Sequence, residues 1–274
     1  MMLENLAAAA PTAFTPVMQT RDALLARIEE AALNATAVRE QVFYDGWLLR
    51  CAPSPARRMR SINILGLSTR ALDDRLAYCH GWYARTGQPV VFRLTSIGPD
   101  FGLDHALAER GYEGYDRTCV MRADLTAAAP AQVVEGMQYR DVTPQVFAAE
   151  VGRLKGASAA AVAEHTARLA GLVVDAMPVV ACTPDGTVVA AGLAVLEDDL
   201  VGIFDVVTDP AQRRQGHGAA LVTQLLARAT ARGSRHAYLQ VETDNIAARA
   251  LYARFGFADC YSYWYRSLPA AVGK

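Results

Sequence analysis

The run from Leu200 to Gly233 constrains the fold more than any other stretch. It opens with Leu200-Val201-Gly202-Ile203-Phe204-Asp205-Val206-Val207-Thr208, almost wholly apolar and rich in β-branched and aromatic residues. Such a run suits a strand buried on both faces. Asp209-Pro210 ends it, because proline gives no donor to a ladder. Arg213-Arg214-Gln215-Gly216-His217-Gly218 follows. Leu221, Val222, Leu225, Leu226 and Ala229 then recur at helical spacing, with Gln224, Arg228 and Arg232 left for the wet side. Gly233 is a natural helix stop. The segment predicts strand, glycine turn and helix, with two arginines at the turn.

That arrangement suits an anion. A helix start offers unpaired N–H groups and the positive end of its dipole. Gly216 and Gly218 carry no Cβ, so an anion can approach the backbone closely. Arg213 and Arg214 add charge and forked donors. A phosphate-bearing ligand fits this pattern. Taken alone, the glycines fit an ordinary helix start with a solvated basic turn equally well. The spacing is neither that of the dinucleotide fingerprint nor that of the P-loop.

At 274 residues the chain suggests one large domain or two small ones. A net charge of −1 argues against electrostatic binding of nucleic acid or of a membrane surface. The five cysteines are scattered and never form Cys-x-x-Cys. That usage fits free thiols in a reducing cytoplasm, so neither a disulfide frame nor a metal site is expected. The first ten residues lack a basic residue and do not read as a signal peptide, and no segment is apolar enough to span a bilayer.

The rest of the chain divides by composition. Residues 1–20 read as a loose alanine-rich tail, 21–126 as a first half, 127–135 as a linker centred on Ala127-Ala128-Ala129-Pro130-Ala131, and 136–274 as a second half. A faint repeat joins the halves. Each has a helix ended by glycine (Gly87, Gly233), a strand, a short helix ended by glycine before an aromatic (Gly111-Tyr112, Gly256-Phe257) and a closing strand with an arginine (Arg122, Arg266). The first half has Leu67-Ser68-Thr69-Arg70 where the second has its glycine turn. Arg57, Arg58 and Arg60, in the loop from Pro53 to Arg60, could touch a substrate or a ligand's phosphates, but such a run is more often solvated, and that is the favoured reading.

Arg213-x-x-Gly216-x-Gly218 after a buried strand resembles the pyrophosphate loop of the GNAT superfamily of acyl-CoA-dependent N-acetyltransferases. Asn245-x-x-Ala248-x-x-Leu251-Tyr252-x-x-x-Gly256-Phe257 is similar to that superfamily's next helix. The resemblance covers about half the chain. It implies an α/β fold, a mixed sheet flanked by helices, in two GNAT-like halves. The first half is then degenerate and shapes the acceptor pocket. It also implies direct transfer of acetyl from acetyl-CoA to a bound amine, with no metal and no acyl-enzyme. Another acyl-CoA, an oxygen acceptor, or a non-catalytic acyl-CoA sensor are the rival readings.

The resemblance also implies roles. Backbone groups of Val206, Val207 and Thr208 would pair with pantetheine as an added strand would. Arg213, Arg214, Gln215, Gly216, His217, Gly218 and Ala219 would hold pyrophosphate, with the His217 side chain in solvent. Asn245 and Ala248 would flank the pantetheine arm, though helix capping explains Asn245 equally well. Tyr252 stands at the position of the general acid, and a core aromatic is its alternative. For the base, the sequence offers Asp205 and Glu242; His165 and His236 have no visible partners. The aromatic final strand (Tyr261, Tyr263, Trp264, Tyr265) suits either a homodimer contact or core packing.

Overall fold

The computed structural model describes residues 22–36, 38–127 and 134–269. The expected tail and most of the expected linker lie outside them.

The first half runs α1 (Ala23–Asn34), β1 (Glu40–Tyr44), β2 (Trp47–Cys51), β3 (Ile62–Ile64), α2 (Leu72–Thr86), β4 (Val91–Thr95), α3 (Leu103–Glu109) and β5 (Glu113–Asp124). The second runs β6 (Gln138–Asp141), α4 (Pro144–Lys155), α5 (Ala159–Ala170), β7 (Asp175–Cys182), β8 (Val188–Glu197), β9 (Leu200–Thr208), α6 (His217–Ala231), β10 (His236–Glu242), α7 (Ile246–Ala253) and β11 (Ala258–Ser267). Local chemistry accounts for several ends. Asp22, Thr143 and Ser158 each cap a helix by accepting a backbone N–H, and Pro144 sits in the first turn of α4, where its missing donor costs nothing.

All eleven strands form one mixed sheet, in the order β1-β2-β3-β4-β11-β5-β10-β9-β8-β7-β6. The order holds an exchange that the sequence did not announce. β5 ends the first half, yet both of its neighbours, β10 and β11, belong to the second. β11 ends the second half, yet it lies between β4 and β5 of the first. Each half therefore closes its final strand into the other.

Side-chain alternation assigns the helices to faces. Along β8, Ala190, Ala194 and Leu196 join the core under α6, while Ala191, Leu193 and Val195 join the core under α4 and α5. Along β4, Phe92 and Leu94 meet α2 and α3, while Val91 meets α1. Thus α2, α3, α6 and α7 cover one face, and α1, α4 and α5 the other. β8 is buried on both faces and reads as a continuous apolar run for that reason.

The halves meet around a buried ion pair. Glu29 of α1 and Arg93 of β4 are both nearly solvent-free and hydrogen-bonded to each other, the Arg93 Nη2 to Glu29 Oε2 bond measuring 3.2 Å. Tyr261 of β11 donates to Glu29 Oε2 at 2.7 Å, and Arg93 lies 4.0 Å over the Tyr263 ring. Tyr261, Tyr263 and Tyr265 are all buried, so of the two explanations for these aromatics, core packing accounts for the three tyrosines. All five cysteines are free, and four are buried. No helix among the described residues is long and apolar enough to cross a membrane.

Candidate active site

β9 and β10 run parallel only from Leu200 opposite His236 to Ile203 opposite Leu239. Beyond that point each strand follows its outer neighbour. Val207 and Thr208 of β9 pair with Ala191 and Ala190 of β8, while Gln240 to Glu242 of β10 pair with Val120 to Thr118 of β5. The strands part, and a cleft of about 510 Å³ opens between them. Ile203, Phe204, Asp205 and Val206 line one wall, and Gln240, Val241 and Glu242 the other; Asn245, Ala248 and Tyr252 of the α7 segment also face it.

A bulge sets the β9 wall. Leu193 faces Phe204 but Ala191 faces Val207, so Asp205 and Val206 together oppose Gly192. Asp205 takes a left-handed φ of 48°, which aspartate tolerates better than most residues. Its carboxylate turns towards α4 and α5. Lys155 Nζ stands 3.4 Å from Oδ1, and His165 Nε2 and Arg168 Nη2 stand 3.1 and 3.9 Å from Oδ2. The His165 contact is within ion-pair range but misses hydrogen-bond alignment. Burial alone would push the pKa of Asp205 up; His165, Lys155 and Arg168 outweigh it and hold the carboxyl well below the usual carboxylate range. A carboxylate held this firmly ionised is a weak proton acceptor, which weighs against Asp205 as a base.

At the mouth, Arg214 and Gly216 take φ values of 64° and 86° as the chain turns into α6. Glycine suits the second at no steric cost. Among the described residues, no backbone N–H from Arg213 to Ala219 has a hydrogen-bond partner. A Cβ on Gly218 would lie 3.0 Å from Thr208 Oγ1, so the turn folds tightly onto the end of β9. Arg213, Arg214 and Gln215 are exposed there. His217 is the correction: it was expected in solvent and is buried at 7 % exposure, because the first turn of α6 faces the sheet.

Around the rest of the cleft, Asn245 caps α7, its Oδ1 accepting from Ala248 N at 3.1 Å. Tyr252 packs edge-on against Phe257 at 5.9 Å, and burial pushes its phenol up to about 12. It remains protonated across the physiological range. Glu242 ends β10, its side chain exposed and without a partner among the described residues. Arg58 is a second correction to the favoured reading, while Arg57 is exposed as expected. Arg58, expected in solvent, lines the cleft, hydrogen-bonds to Gln240 and lies 5.8 Å from the Phe204 ring. Arg57 pairs with Asp116 and stacks 5.2 Å from Tyr115. The first half therefore reaches into a cleft built by the second. His165, Lys155 and Arg168 were also missed as site residues: they lie 37–50 positions from Asp205, and only the packing of α4 and α5 on β9 brings them to it. Among the described residues no group of three His, Cys, Asp or Glu side chains is placed to hold a metal.

Residues 23–266 match a family described as "Probable histone acetyltransferase Rv0428c C-terminal". The chain belongs to that family and is a GNAT-type acetyltransferase. The uncharacterised N-acetyltransferase YobR of Bacillus subtilis (strain 168) is 25 % identical over 252 residues, spanning 88 % of this chain and 97 % of YobR. A GCN5-related N-acetyltransferase from Kribbella flavida has the same fold, with a TM-score of 0.67 at 18 % identity over 90 % of this chain and 96 % of that one. A tandem GNAT protein from the clavulanic acid biosynthesis pathway matches with a TM-score of 0.60 at 17 % identity, over 77 % and 76 % of the two chains. The match to a tandem protein agrees with the duplicated fold read from the glycine spacing.

Proposed function

We propose that this GNAT acetyltransferase moves an acetyl group from acetyl-CoA directly to a primary amine of a small molecule or peptide. One observation carries the reading: the parted strands open a cleft whose mouth is a run of N–H groups, from Arg213 to Ala219 at the start of α6, that have no partner among the described residues. A pyrophosphate suits that run in charge and in donor geometry. The free edge of β9 from Val206 to Thr208 suits the amide groups of a pantetheine arm.

When bound, acetyl-CoA supplies an activated acetyl group as a thioester. An aliphatic amine with a pKa of about 10.4 is neutral in fewer than about one molecule in a thousand at pH 7, so the site needs a proton acceptor. Glu242 faces the cleft without a partner among the described residues and takes that role. Tyr252, protonated at neutral pH, gives its proton to the departing thiolate. Asp205 gathers Lys155, His165 and Arg168 on the opposite wall.

The test is a calorimetric titration with acetyl-CoA of the wild type and of Gly218→Glu. The variant sets a carboxylate where phosphate would lie, and its Cβ meets only a rotatable hydroxyl. The wild type should bind at one equivalent, and the variant, folded by circular dichroism, at least about a hundredfold more weakly. Equal affinity in a folded variant rejects this loop as the cofactor site.

A further inference from the structure

The cleft carries three cations to two carboxylates: Arg58, Lys155 and Arg168 against Asp205 and Glu242. They are not evenly mixed. Glu242 ends β10 on one wall, while Lys155 and Arg168 project from α4 and α5 beside the other.

Arg168 is poorly satisfied. Its two carboxylate neighbours, Glu164 and Asp205, each stand 3.9 Å away, outside hydrogen-bond range. Its Nε is shielded from solvent without a partner, and among the described residues the guanidinium makes no hydrogen bond. A half-desolvated guanidinium in that state costs free energy that a well-placed acceptor would recover. Asp205 is already shared three ways and cannot supply it. Lys155, on the rim and 48 % exposed, has Asp205 at 3.4 Å as its one close anion among the described residues. A planar carboxylate entering the cleft can take the Arg168 fork with two parallel bonds and meet Lys155 as well.

We infer that the acceptor is a small amine that also carries a carboxylate, its carboxylate held by Arg168 and Lys155 and its amine facing Glu242. This rests on the acetyl-CoA reading above. The separation of charge in the cleft then selects for a zwitterion: an acceptor without the carboxylate leaves Arg168 unsatisfied, and one anionic throughout meets Glu242.

The experiment is an acceptor panel of matched pairs, each common amino acid beside its carboxamide, with thiol release from acetyl-CoA as the readout. Calorimetry with acetyl-CoA runs in parallel. At least one amino acid should turn over with a kcat/KM about tenfold or more above its amide. Arg168→Gln should raise KM for that acid about tenfold or more, with the KM of the amide and the affinity for acetyl-CoA unchanged. Lys155→Met, at a half-exposed rim position, should show the same selective loss and guards against an Arg168 variant that fails to fold. Equal or better turnover of amides, preference for phosphorylated amines, or an equal loss for acids and amides overturns the inference. Acetyl-CoA binding without turnover of any amino acid also overturns it and leaves the cofactor reading standing. Absence of acetyl-CoA binding removes both.

Discussion

The two halves share one frame and differ in what they leave open. In the second half, the turn between β9 and α6 leaves its N–H groups without a partner among the described residues, and the parted strands enclose about 510 Å³. In the first half, the turn between β3 and α2 is filled by the protein itself. The Asp45 carboxylate accepts from Thr69 N at 3.0 Å, from Arg70 N at 2.9 Å and from the Thr69 hydroxyl at 2.8 Å. The Arg70 and Thr69 N–H bonds hold Asp45 below its ordinary range, as a bound anion would be held. The gap beyond Asn63 and Arg93 has closed as well, to a pocket of about 80 Å³ lined by Ile64, Leu94, Asp104 and Trp264. Trp264 lines it, fixed by a 2.6 Å bond from Nε1 to Asp104. A strand–turn–helix frame is thus not enough to make a ligand site; the N–H groups must be left free and the strands must be left apart.

Three changes would break or sharpen that comparison. The largest effect is expected at the seam. Glu29→Gln leaves Arg93 buried without a charge partner, and should cost about 3–5 kcal/mol of stability. Because β5 and β11 are exchanged, calorimetry should still show one transition; two would mean that the halves melt apart. Next is Tyr252→Phe in the open half, expected to lower kcat about a hundredfold with acetyl-CoA affinity unchanged. Wild-type turnover in that variant would leave Tyr252 as a packing residue only. The smallest is Asp45→Ala in the closed half. It should lower the melting temperature while the acetyl-CoA stoichiometry stays at one per chain, because the pocket of about 80 Å³ there is still too small for the cofactor. A second equivalent bound would show that Asp45 alone keeps the first half shut.

Much of this was legible because it is local. The helix from His217 is written in the spacing of Leu221, Val222 and Leu225, the turn before it in Gly216 and Gly218, and the cap of α7 in Asn245. β1 was not, since its five residues alternate weakly and its pairing with β2 decides it. Nor was the fate of the charged residues. A run such as Arg57-Arg58-x-Arg60 reads the same whether solvated or docked, because nothing near it in sequence names Gln240 or Phe204. His165 showed no partner for the same reason, as Asp205 lies forty residues on.

By itself, then, the sequence determined most of the succession of strands and helices, the glycine turn at α6, and the likeness between the halves. These depend on residues within a turn or two of one another, where periodicity, capping and backbone freedom act. Tertiary structure decided the exchange of β5 and β11, the filling of one turn by Asp45, and the gathering of Lys155, His165 and Arg168 about a bulged aspartate. Each requires contact between segments far apart in the chain, and a contact of that kind is settled by what the packed sheet leaves room for.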